Sequence, residues 1–167
     1  PEAPVPVLKV TSTEYGCGGA GSVAADLVAL GAKVVCLGVI GNDHNGRVIR
    51  EMLDNTGVDT EGLLVADNRP TINKKRLIGL AQHRHRQQLI RFDEESTSPL
   101  PEEICKKILA NYKADLKNAD AVCLQDYNKG LLCSGMCEEM IKLAVAAGKK
   151  VIVDPSLTSE YSKYKAA

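Results

Sequence analysis

Three groups of residues in this chain have the types and spacing to do chemistry. The first is Gly18-Gly19-Ala20-Gly21-Ser22, which runs into an apolar stretch, Val23 to Leu30, that reads as a helix opening. Small residues let backbone approach a neighbour closely, and the first amides of a helix have no partner inside it. The junction therefore suits polar or anionic groups. The second group is cationic. Lys74 and Arg76 stand two apart on a strand-like run and so share a face, with Arg91 on the next such run. Arg holds a phosphate through its planar fork and Lys as a point charge, so this face suits a phosphate clamp; the alternative is an ordinary solvated strand face. The third group is Asp43, Asp126 and Asp154, each at the end of an apolar strand-like run, where open α/β sheets place ligands. Asp43 suits either sugar hydroxyls or the cap of the next helix.

These groups need elements to hold them, and two kinds are visible. One alternates strands with helices: a strand over Lys33 to Val39, helices over Asn45 to Asn55, Glu102 to Leu116 and Gly135 to Ala147, and strands over Ala121 to Leu124 and Lys150 to Asp154. Near-continuous apolar strands separated by helices indicate a parallel sheet covered on both faces. The other kind is strand without helix: Val5 to Val10, Thr71 to Leu80 and Gln88 to Asp93. The last alternates polar and apolar residues, as a strand exposed on one face does. The expected organisation is an α/β body over about 18–67 and 100–167 with a small β-sheet lid from about 1–15 and 68–95.

Composition narrows the function classes. The 167 residues are 44% hydrophobic, and 21 basic residues balance 21 acidic ones, so no global field favours nucleic acid or membrane. No apolar run approaches the roughly 20 residues that span a bilayer, no segment reads as a signal peptide, and the expected location is cytoplasmic. Trp is absent and Phe occurs once, which leaves no stacking platform for single-stranded nucleic acid. The six cysteines are scattered; Cys36 and Cys123 read as small hydrophobes in strands, and the Cys133/Cys137 pair lacks a second ligand pair for zinc. His83-Arg84-His85-Arg86 reads as an exposed basic hairpin loop.

Counted from Gly18, the pattern Gly-Gly, small, x, polar, x, Ala, followed by Gly31 and Gly41, resembles the first signature of the ribokinase/PfkB carbohydrate kinases. One position departs: the family has Asn where Ser22 stands, and a single hydroxyl replaces an amide that both donates and accepts. Further motifs in order narrow the resemblance to the kinase domain of the heptose-7-phosphate kinase / ADP-heptose synthase group. They are the opening Pro1 to Val7, Gly38 to Gly46, Pro70-Thr71-Ile72 with Lys74 and Arg76, Gln87 to Asp93, Asp126-Tyr127-x-Lys129-Gly130 and Asp154-Pro155.

The resemblance implies a ribokinase-like three-layer parallel sheet, here truncated, with a β-lid over the sugar. It implies ATP and Mg2+ as cofactors, a sugar-phosphate substrate, and a homodimer formed through the lid. It places Gly18, Gly19, Ser22, Asp43, Lys74, Arg76, Gln88 and Arg91 at the substrate, and Asp126, Lys129 and Asp154 in the active site, with the metal ligands undetermined. The family often has Lys after Asp-Pro, where this chain has Ser156. The family's Gly-Ala-Gly-Asp motif, whose Asp is the catalytic base, does not occur in the 167 residues, nor does an upstream sugar-binding Asp. The expected activity is therefore that of an intact sugar kinase, with these residues inactive alone. A non-catalytic sugar-phosphate-binding or dimerisation module and a kinase for another sugar phosphate are the alternatives. A Rossmann dinucleotide site fits poorly, because the glycines precede the first parallel strand and no acidic residue closes a second strand at the expected distance.

Overall fold

Two parallel strand pairs, each backed by helices, carry the core, and a twisted hairpin stands between them in sequence. The computed structural model describes residues 4, 7–79, 86–157, 161–165 and 167. In the N-terminal half, α1 (Ala20–Ala29), β1 (Gly38–Gly41), α2 (His44–Thr56) and β2 (Leu63–Ala66) follow one another, and β1 lies parallel to β2 with Ile40 opposite Val65. Helix α2 starts at Asp43, whose carboxylate accepts the Gly46 amide at 2.7 Å, and buries Leu53 at 2% exposure against Ala24, Val58 and Leu63.

The hairpin follows: β3 (Asn73–Gly79) and β4 (Gln87–Glu94) pair antiparallel, with a bulge after the Leu77–Ile90 pair. In the C-terminal half, α3 (Glu102–Asp115), β5 (Ala121–Gln125), α4 (Ser134–Ala146) and β6 (Lys150–Asp154) repeat the strand–helix–strand plan, with Leu124 opposite Val153 in a second parallel pair. Here the larger core forms: Tyr112, Leu124, Met136, Cys137, Met140, Ile141 and Ala144 pack together, closed by Tyr164 from a 3-10 turn at Ser162–Tyr164. Tyr112 is admitted to this interior because its hydroxyl donates to the Met140 carbonyl at 2.9 Å; burial lifts its pKa to about 12.

Among the described residues no ladder joins β1 to β5. A cleft of about 2250 Å3 opens instead, and residues of both strands, such as Val39 and Val122, line it.

The helices, β5 and β6 lie where the periodicity places them, and so do the two lid strands within the described residues. Three features differ. The strand expected over Lys33 to Val39 is displaced to Gly38–Gly41, because the segment it pairs with turns at Glu61–Gly62 and only Val35 bridges Asp59 before that turn. Residues 7–10 of the strand expected over Val5 to Val10 are irregular; Val7 is 91% exposed and no strand among the described residues pairs with them, while residues 5 and 6 lie outside the described residues. Cys123 is in a strand as expected but is exposed rather than buried. Strand β2 is too short to announce itself by alternation. Residues 83–85 of the expected basic loop also lie outside the described residues.

Candidate functional site

Gly19 sets the geometry at the α1 end of the cleft. It caps α1 with φ 52°, a left-handed conformation that suits glycine, and a Cβ there would sit 3.3 Å from the Tyr127 ring. The bare backbone thus lets the loop after β5 lie against the start of α1. Gly18, Gly19, Lys74, Arg76, Asp126 and Lys129 all line the same large cleft, to which both halves and the lid contribute. Ser22 is half-buried in the first turn of α1, and Gln88, Arg91 and Asp154 are exposed outside that lining.

On the lid, cross-strand pairing decides which side chains share a face. Lys74 stands opposite Asp93 and Arg76 opposite Arg91. Lys74 Nζ lies 2.8 Å from Asp93 Oδ2 and 3.1 Å from Glu95 Oε2, and Arg91 grips the same Asp93 at 2.8 Å and 3.0 Å. The face expected to be a positive clamp is therefore not uniformly positive: acid side chains interleave with it. The Lys74 ammonium holds the Asp93 carboxyl below its usual range, with Arg91 adding to the effect, and Lys129 followed by Lys74 does the same for Glu95. Asp93 and Glu95 in turn hold the Lys74 ammonium above its usual range. Arg76 differs. Among the described residues its guanidinium donates only to the Lys74 carbonyl, at 3.2 Å, and it stands opposite Arg91 with no carboxylate of its own. Like charges directly opposite each other repel, an arrangement that an anion between them would relieve.

The bulge adds a residue to this face. Ile78 pairs with Gln88, not with Leu89, so Gln88 joins the face of Arg76 and Arg91. Strict alternation from Arg91 would have put Gln88 on the opposite side, and re-aiming one side chain is what such bulges do.

The three carboxylates have separate surroundings. Asp43 lines a different, smaller groove of about 150 Å3 and takes the capping role of its two expected ones, with further bonds to Thr71. Asp126 is buried at 5% exposure. Its Oδ2 accepts from Lys163 Nζ at 2.5 Å and Tyr164 OH at 2.6 Å, and its Oδ1 accepts the Asn128 amide at 2.7 Å. Burial pushes its pKa up, but Lys163, Tyr164 and the Asn128 amide together outweigh that, and the net shift is downward. Asp154, at the end of β6, is exposed, and no described residue bonds its side chain. Among the described residues no cluster of three His, Cys, Asp or Glu side chains could hold a metal ion. Hard cations such as Mg2+ commonly arrive with nucleotide phosphates.

Several residues at the site have no signal in the sequence. Lys163 and Tyr164 sit on a 3-10 turn too short for periodicity, yet they hold Asp126. Glu95 lies beyond the alternating run and binds both Lys74 and Lys129, the latter at 2.7 Å. Gln125, beside Asp126, keeps a buried Oε1 with no partner among the described residues.

Comparison with known proteins agrees with this architecture. The family model described as "pfkB family carbohydrate kinase" matches residues 2–166. The chain is 42% identical over all 167 residues to the bifunctional protein HldE of Desulfatibacillum aliphaticivorans, covering 33% of that protein. It is 38% identical to the bifunctional protein HldE of Sulfurimonas denitrificans, covering 34% of it. The chain thus spans about a third of the length of these curated relatives. Among solved structures, 2-dehydro-3-deoxygluconokinase of Thermotoga maritima superposes with a TM-score of 0.66 at 19% identity, over 92% of this chain and 46% of that one, which shows the ribokinase-like α/β fold.

Proposed function

Because the chain belongs to the pfkB family of carbohydrate kinases, we propose that it is the sugar-binding part of a kinase for D-glycero-D-manno-heptose 7-phosphate. The intact enzyme transfers the γ-phosphoryl of ATP to the anomeric hydroxyl, a step toward the ADP-heptose of lipopolysaccharide. The observation that carries this reading is the Arg76–Arg91 pair, two guanidinium groups opposite each other, of which only one is acid-compensated among the described residues. A substrate phosphate between them would supply the missing charge. Its relatives bearing the name HldE support the heptose assignment.

In this reading Lys74, Arg76, Gln88 and Arg91 hold the 7-phosphate, while Gly18, Gly19 and Ser22 take the sugar hydroxyls. Asp126, Lys129 and Asp154 shape the reacting end. ATP, bound with Mg2+, supplies the phosphoryl group and its charge neutralisation. This chain's share of the work is to orient the sugar and to keep its phosphate away from the reacting hydroxyl. The residues at hand contain no Gly-Ala-Gly-Asp base motif, so they bind without turnover on their own. The intact enzyme is cytoplasmic and dimerises through the lid face that exposes Ile90 and Phe92 at 47% and 51%. A second reading, another sugar phosphate, is favoured at one position: Ser22 stands where the family has Asn.

Thermal unfolding separates these readings. A ligand that binds only the folded state raises the midpoint as its sites fill. Heptose 7-phosphate is expected to raise it, unphosphorylated heptose and ATP much less, and Arg76→Gln to abolish the effect. Equal shifts for both sugars would overturn the phosphate clamp. A larger shift with a different sugar phosphate would favour the second reading.

A further inference from the structure

The lid meets the body through a chain of hydrogen bonds that crosses the cleft. Thr71, two residues before β3, is buried at 8% exposure. Its amide donates to Asp43 Oδ2 at 2.8 Å and its hydroxyl to Asp43 Oδ1 at 2.8 Å. The same hydroxyl oxygen accepts the Gly41 amide at 2.8 Å. The entering leg of the lid therefore clips to the end of β1 and the start of α2. It lies so close that a Cβ on Gly41 would fall 2.6 Å from the Arg69 carbonyl and 2.7 Å from the Thr71 amide.

From that leg Arg69 reaches the other way. Its Nη2 donates to the Ser96 carbonyl on the returning leg at 2.9 Å and to the Lys129 carbonyl, in the loop after β5, at 2.8 Å. Lys129 Nζ in turn holds Glu95 at 2.7 Å. The two parallel strand pairs share no ladder among the described residues, so this path from Asp43 through Thr71 and Arg69 to Lys129 spans a gap that the sheet leaves open.

We propose that this path is a tie that fixes the width of the cleft and the posture of the lid together. Asp43 and Thr71 are then positioning residues that act through the lid and do not touch the sugar. The part of the inference that concerns ligand rests on the phosphate-clamp reading; the mechanical part does not. Two consequences are built into the geometry. Loosening Thr71 frees the lid from the N-terminal half, yet leaves the Asp43 bond to Gly46 that starts α2. Loosening Arg69 frees both lid legs from the loop after β5.

Amide hydrogen exchange on the 167-residue chain tests this, because loss of one hydrogen bond translates to about tenfold faster local opening. Thr71→Val keeps the shape without the hydroxyl, and Thr71→Ser keeps the hydroxyl without the methyl. The tie predicts about tenfold faster exchange across β3 and β4 in the Val variant, with α4 unchanged and the Ser variant at the wild-type rate. Equal rates for Val and Ser, or acceleration shared by α4, would overturn it. Arg69→Gln provides an independent arm should the Val variant not fold: β3, β4 and the 126–133 loop speed up together, and an unchanged loop counts against the tie. Heptose 7-phosphate added to the wild type distinguishes the two ideas. Faster lid exchange in the variants with no ligand protection in the wild type keeps the tie and removes the clamp.

Discussion

Replacing Asp126 by Asn strands an ammonium. Lys163 would keep 13% side-chain exposure with its carboxylate gone, and breaking a buried pair from one side costs about 3–5 kcal/mol. Tyr164→Phe removes one hydrogen bond to the same carboxylate and should cost about 1.5–3 kcal/mol. Chemical denaturation of both variants checks the order. The pH dependence follows from the lowered pKa of Asp126. A carboxylate depressed in the folded state adds stability that is present above its unfolded pKa, near ~3.9, and that disappears as pH falls through the folded value. Wild-type stability should therefore drop below about pH 4, and Asp126→Asn should flatten that part of the curve. The sequence placed Asp126 at the end of an apolar strand and so at the rim of the sheet. It could not reveal that the carboxylate is engaged by side chains, because those partners lie on a turn with no period of its own and 37 residues or more away.

The lid shows where element-level reading succeeds and where it stops. Alternation in Gln88 to Asp93 announces β4, and the spacing of Lys74 and Arg76 announces a shared face, since both follow from the two-residue repeat. Register does not follow from that repeat, because a bulge adds one residue to one strand without any mark in composition. Deleting Leu89 should straighten the hairpin and leave Gln88 opposite Ile78, still on the side of Arg76. The midpoint shift with a sugar phosphate should therefore persist, and the far-ultraviolet spectrum should keep its strand signal. A lost shift would show that the bulge itself, beyond the face it gives Gln88, shapes that surface. The displaced strand β1 makes the same point. Its apolar run begins at Lys33, but a ladder needs a partner, and the partner arrives only after Gly62. The irregular residues 7–10 have β-prone side chains and no edge to join.

The body as a whole leaves apolar surface without cover: Ile152 is 61% exposed and Val35 48%, and both line the cleft. Open apolar surface of this kind binds hydrophobic dyes and promotes association. The 167 residues are expected to enhance the fluorescence of such a dye at neutral pH and to sediment faster as concentration rises. A dark, concentration-independent sample would mean that the two halves close on each other in solution. The separation of the strand pairs has one more outcome, in time. Strands β1 and β2 lie within 38–66, β3 and β4 within 73–94, and β5 and β6 within 121–154, so each pair is complete in one uninterrupted stretch of chain. Pairings between near neighbours form faster than distant ones, and a chain leaving the ribosome offers its N-terminal segments first. The first strand pair and the hairpin can therefore assemble while the second pair is still being translated, and Lys163 and Tyr164 emerge later still, to meet an Asp126 already made.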